Sequence, residues 1–168
     1  MKYLSLLFLA WTLALAQHAH PAPRDAGERA FLSGMIAHHE GALEMARHLL
    51  QRGKDKEVRA WAEAILKDQE REIALMRSWL PSLGGLDQAA YEAMRREMAA
   101  MLQELRAASD PDRAFVELML QHHRGAVEMA LSALTTAKDR RVLDLARDII
   151  LAQAKEMHAF RLWLLRQR

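Results

Sequence analysis

The sequence predicts an all-α fold, a four-helix bundle made of two duplicated helical hairpins joined by a helical crossover. Three observations carry that expectation. Apolar residues recur at helical spacing over long stretches, and strand alternation is missing throughout. The phrase Phe31-Leu-Ser-Gly-Met35-Ile-Ala-His38-His39-Glu-Gly41-Ala42-Leu-Glu44-Met45-Ala46 returns as Phe115-Val-Glu-Leu-Met119-Leu-Gln-His122-His123-Arg-Gly125-Ala126-Val-Glu128-Met129-Ala130, an offset of 84. The offset then holds through the following helix, where Val58, Ala62, Ile65, Gln69, Glu72, Trp79 and Leu80 recur as Val142, Ala146, Ile149, Gln153, Glu156, Trp163 and Leu164. A two-helix unit has been duplicated, and one such unit cannot bury its apolar face alone.

Residues 1–16 read as a secretory signal: Lys2, an apolar run from Leu4 to Leu15, and small residues at Ala14 and Ala16 before the cleavage point. The run is too short for a transmembrane anchor, so the product is expected to be exported, with no stable membrane insertion after cleavage. Residues 17–24 form a short leader in which His18 and His20 precede Pro21 and Pro23. The bundle is expected over 25–168, with the first repeat at about 28–80, the crossover at 81–110 and the second repeat at about 112–164.

Within it the first helix runs from Asp25 to Arg52, where Gly53 supplies a stop. The second begins near Lys54 or Asp55 and ends at Leu80, because Pro81 cannot continue a helix. Gly84-Gly85 opens a loop, and Asp87 is placed to cap a third helix reaching about Ala107. Asp110-Pro111 gives a cap and a first-turn proline to the fourth, which runs to about Ala137. The fifth covers Asp139 to Gln167. The crossover helix carries Tyr91, Met94, Met98, Met101, Leu102 and Leu105 on one side. That side is expected to pack on the bundle, a Met-rich metal surface being the alternative.

Composition narrows the function classes. The formal charge is +2, and +1 once Lys2 leaves, with acids and bases spread along the helices; nothing supports nucleic-acid binding. Cysteine is absent, so an exported chain of this kind has neither disulfides nor thiolate ligands, and a soft metal would have to be held by Met and His. Asparagine is absent too and Arg outnumbers Lys three to one, a composition that leans towards a hot habitat.

At 100° per residue, Phe31, Met35, Ala42, Ala46 and Leu49 share one buried stripe on the first helix. His39 falls inside that stripe and His38 on its edge beside Met45, whereas Glu44, and by the offset Glu128, falls on the outer face. On the second helix Gln69 sits at the centre of the buried stripe and Glu72 at its edge; Gln153 and Glu156 repeat them. Each half thus directs two imidazoles, an amide and a carboxylate into or beside an apolar interface. Buried polar groups must satisfy one another or share an ion, since an unpartnered one costs several kcal/mol.

A metal site is the favoured reading, and a hydrogen-bonded core network is the alternative. Imidazole suits copper, zinc and iron, and thioether favours Cu(I) and, by the same softness, Ag(I). Met35, Met45, Met119 and Met129 flank the His pairs at one- and two-turn spacings. Met76, whose counterpart is Phe160, reads as filler, and His48 and His158 lack histidine counterparts and read as surface residues. An iron or manganese enzyme of ferritin-like type would use more carboxylates than two inward Glu. No nucleophile–base set, phosphate loop or nucleotide motif is present, so an enzyme is the weaker reading.

The doubled phrases Met35-Ile-Ala-His38-His39-Glu-Gly-Ala42 and Met119-Leu-Gln-His122-His123-Arg-Gly-Ala126, with Ile65-x3-Gln69-x2-Glu72-x6-Trp79-Leu80 and its repeat from Ile149 to Leu164, resemble the DUF305 family over nearly the whole mature chain. The resemblance implies a ferritin-like helical bundle, usually exported, and in some members linked to copper or silver. By analogy with the copper-binding members, it points to Met35, His38, His39, Met45, Met119, His122, His123 and Met129 as ligands. The family often has Pro before the first His pair, where this chain has Ala37 and, in the repeat, Gln121, which implies a straighter helix. The combined expectation is an exported protein that sequesters or carries copper, with a His/Gln/Glu site for iron, manganese or zinc as the alternative and its protein partner open.

Overall fold

The computed structural model describes residues 26–167; the expected signal segment and the leader with His18 and His20 lie outside them. Five helices follow in order: α1 (Ala26–Arg52), α2 (Lys56–Trp79), α3 (Gln88–Ala107), α4 (Pro111–Thr136) and α5 (Arg140–Arg166). Among the described residues there is no strand.

Aspartates set the starts of the last four helices. Asp55 accepts from the backbone N–H groups of Glu57 and Val58, Asp87 from Ala90, Asp110 from Arg113 and Asp139 from Arg141, each satisfying a donor that has no partner inside its helix. Pro111 occupies the first turn of α4, where its missing N–H costs nothing. α2 ends one residue earlier than expected, at Trp79, because the chain tightens into a single 3₁₀ turn, Leu80–Leu83, that takes Pro81 at its start. Gly84 and Gly85 then adopt φ of 93° and 82°, a left-handed reversal that suits glycine and turns the chain into α3.

α1 packs on α2, α3 and α4, and α4 packs on α5. The apolar side chains form two clusters, and each of the four long helices contributes to both. One contains Leu32, Met35, Ile36, Met76, Ala130 and Ile149. The other contains Leu49, Ile65, Phe115, Met119, Phe160 and Trp163. Every long helix carries two polar residues between the clusters: His38 and His39 on α1, Gln69 and Glu72 on α2, His122 and His123 on α4, Gln153 and Glu156 on α5. The bundle therefore has a polar waist between two apolar ends, and the 84-residue offset sets its composition.

The crossover helix packs as expected on α1, burying Met98, Leu102 and Leu105. Tyr91 anchors it through a 2.6 Å hydrogen bond from its hydroxyl to Glu40. Because α3 lies over α1, His48 is half-buried rather than on the surface, and burial together with Arg52 and Arg106 lowers its pKa. Glu44, Glu128 and His158 are exposed, and Glu128 pairs with Arg124 one turn before it on the same face. No described helix is long and apolar enough to cross a membrane.

Candidate metal centre at the waist of the bundle

Four imidazoles occupy the waist, all at 2 % exposure or less. Across the repeat, His38 and His122 lie against each other with ring centroids 3.7 Å apart and planes tilted by 36°. His39 and His123 stand outside this pair, 6.1 and 5.7 Å from their sequence neighbours.

The outer two are held identically. The Nε2 of His39 lies 2.7 Å from a Glu72 carboxylate oxygen, and that of His123 lies 2.6 Å from Glu156. A carboxylate only accepts, so in both rings Nε2 bears the proton and Nδ1 is the lone-pair atom. His122 is held the same way by a different acceptor, its Nε2 donating to the carbonyl of His38 at 2.9 Å. Fixing one ring nitrogen by an oxygen acceptor is how ligating histidines are oriented, with the other nitrogen left for a metal. The Nδ1 atoms of His38, His39, His122 and His123 are all buried with no hydrogen-bond partner, as are the Oε1 atoms of Gln69 and Gln153. Six orphaned polar atoms around one layer are rare in a folded protein, where buried polar groups are nearly always paired.

Burial, and then the neighbouring imidazoles, push the pKa of His38 and of His122 well below the ordinary histidine value of 6.5. Both rings are therefore neutral at neutral pH, the form that ligates metals. The same shift has a consequence for the metal-free protein. Around His38 and His122 lie the His39 and His123 rings, backed by Glu72 and Glu156, and a proton added there finds little compensation. The unfolded chain takes up protons first, so the stabilisation is complete above about pH 6.5 and is lost as the pH falls below it, by up to about 1.4 kcal/mol per pH unit for each ring. Urea midpoints of the metal-free protein should be level from pH 8 to 7 and fall from 6.5 to 5; a level profile down to pH 5 would contradict this burial.

Of the methionines singled out from the sequence, Met35, Met45 and Met119 are fully buried in the apolar clusters. Met129 is half-buried and borders a cleft of about 510 Å³ between α3 and α4. Glu72 and Glu156 are each engaged with their own imidazole, and among the described residues no three His, Asp or Glu side chains come together to hold an ion. The stacking of His38 on His122 was not legible from periodicity, which places residues on faces but does not say which helices meet.

The comparisons with known proteins agree with this architecture. The family described as "Domain of unknown function (DUF305)" matches residues 14–80 and 28–164. CopM in its Cu(I)-bound form is 29 % identical with a TM-score of 0.71, over 83 % of this chain and 96 % of that one. CopM has also been solved in a Cu(II)-bound form, 31 % identical over 82 % of this chain and 95 % of that one with a TM-score of 0.68, and in Ag-bound forms. A DUF305 fragment from Deinococcus radiodurans is 29 % identical with a TM-score of 0.73, over 84 % and 97 % of the two chains. No curated protein matches. With the family's pattern spanning both hairpins and the fold reproduced in these structures, the chain belongs to the DUF305 family.

Proposed function

We propose that this protein is exported and binds copper, sequestering or carrying Cu(I), and Ag(I) by the same softness, on the imidazoles and thioethers of its paired helices. The observation that carries the reading is the set of buried, unpartnered Nδ1 atoms on His38, His39, His122 and His123. Three of these rings have their Nε2 proton fixed by an oxygen acceptor, so three nitrogen lone pairs face a dry interior at no further tautomeric cost. Gln69 and Gln153 add neutral oxygen donors to the same layer. A neutral nitrogen and thioether donor set suits Cu(I); hard cations such as Mn(II) call for carboxylates, and both waist carboxylates are already bonded to imidazoles. Similarity to CopM, solved with copper and with silver, supports the same metals. Export rests on the signal-like segment before residue 17.

The test is retention. The mature chain is loaded anaerobically with Cu(I), and separately with Fe(II), Mn(II) and Zn(II), then desalted and its metal content measured. Copper should stay at one or more ions per chain. In the His38→Gln, His39→Gln, His122→Gln, His123→Gln variant, checked for helix content by circular dichroism, at least one ion per chain should be lost, the affinity of the waist falling by more than about tenfold, the least expected when even the outer partners of ligands are removed. Copper that washes off the wild-type chain, or stays equally on the variant, would sink the proposal.

A further inference from the structure

The duplication has two copies of the α1/α4 face but only one crossover helix to cover them. On α1 that face is centred on Gly41, and α3 presses into it so closely that a Cβ there would stand 2.6 Å from Met98 Cγ. Its counterpart on α4 is Gly125, where a Cβ would meet only the Nε2 of His38, at 3.5 Å. The uncovered copy is one wall of the 510 Å³ cleft, and α3 forms the other.

Four methionines line that cleft, beside the polar side chains of Glu97, Gln121, Arg124 and Glu128. α3 supplies Met94, Met98 and Met101, one above another at four- and three-residue spacing, and α4 supplies Met129 opposite. His38 and His122 form its floor, joining it to the waist. The methionines inside the two apolar clusters are sealed: Met35, Met45, Met76 and Met119 have no exposed surface. Met94, Met101 and Met129 instead are half-buried and border open space. Thioethers carry no proton to displace and bind soft monovalent ions in preference to hard ones. Of the charged groups that line this cleft, Glu128 is paired with Arg124, which leaves Glu97 as the carboxylate facing an incoming cation.

We propose that the cleft between α3 and α4 is a second, solvent-reached soft-metal site, in which the thioethers of Met94, Met98, Met101 and Met129 take Cu(I) or Ag(I) above the buried imidazoles of His38 and His122. The identity of the ion rests on the copper reading above; the assignment of the crossover methionines does not depend on the waist being a site. In this arrangement α3 is the receiving element of the protein as well as the link between its hairpins.

The experiment is a titration of Ag(I) into the mature chain labelled with ¹³C at the methionine methyls. The first equivalents should shift the resonances of Met94, Met98, Met101 and Met129 and leave those of Met35, Met45, Met76 and Met119 in place. In parallel, Met94→Leu, Met98→Leu, Met101→Leu, a volume-conserving change, should weaken the first Ag(I) measured against a competing chelator by at least about tenfold, since losing ligands costs no less than losing their outer partners. If silver is held but the core methionine resonances move first, or the triple variant binds as tightly as wild type, the cleft proposal falls while the waist reading stands. If the α3 methyls shift equally in the four-histidine variant and that variant keeps as much copper as wild type, the waist reading falls and the cleft stands. If no methyl shifts and no ion is retained, both fall.

Discussion

Replacing His38 and His122 together with leucine should make the metal-free protein more stable by about 2–20 °C while removing copper from the waist. Each ring leaves a buried Nδ1 without a partner, at a cost of about 1–3 kcal/mol per atom. Leucine fills nearly the same volume and brings no polar atom. What is lost is the hydrogen bond from His122 to the His38 carbonyl, worth about 1 kcal/mol net, and that carbonyl keeps its place in the α1 ladder. The balance is a gain on the order of 1–5 kcal/mol, and in a chain of this size each kcal/mol moves the midpoint by about 2–4 °C. Saturating copper should raise the wild-type midpoint more than the variant's, because a ligand present at a hundred times its dissociation constant stabilises the protein that binds it by about 2.7 kcal/mol. Melting curves of both proteins with and without Cu(I) decide the matter. A lower midpoint for the leucine variant without metal would mean that the imidazoles are well satisfied in the core, as a structural network requires.

This conflict between packing and donor chemistry is why some of the waist could be read from the sequence and some could not. The apolar stripes and the Asp87, Asp110 and Asp139 starts follow from local chemistry: helical periodicity, a capping oxygen, a first-turn proline. The same periodicity put His39, Gln69 and Glu72 on inward faces, and the structure joins His39 to Glu72 across the hairpin. The stacking of His38 on His122 and the bond from His122 to the His38 backbone depend on how the two hairpins dock, and no pattern within one helix encodes that. Met94, Met98 and Met101 were visible as a stripe and read as packing. The partial exposure of Met94 and Met101 arises because one crossover helix must serve two equivalent faces, a constraint that exists only once the halves are assembled.

That asymmetry gives the two repeat-related glycines opposite mutational signs. At Gly41 even one added carbon comes within 2.6 Å of Met98 Cγ, and closer to its Cβ, so Gly41→Val must push α3 outwards or strain α1. Overpacking of this kind costs about 1–3 kcal/mol, and the helix propensity gained over glycine returns only about half a kcal/mol. The net loss should be about 2 kcal/mol, read as a lower urea midpoint. At Gly125 the backbone is equally helical and the added methyl meets only the His38 Nε2, at an ordinary 3.5 Å. Gly125→Ala should therefore gain up to about 1 kcal/mol from propensity alone. Gly125 lines the cleft, so the added methyl would also narrow it, and the same variant should take up Ag(I) less tightly although it is the more stable protein. Equal destabilisation at both positions would mean that α3 covers both faces alike, leaving no cleft for an ion to reach. Opposite signs in stability, with silver binding weakened at the stabilised position, would tie the opening over α4 directly to the single crossover helix.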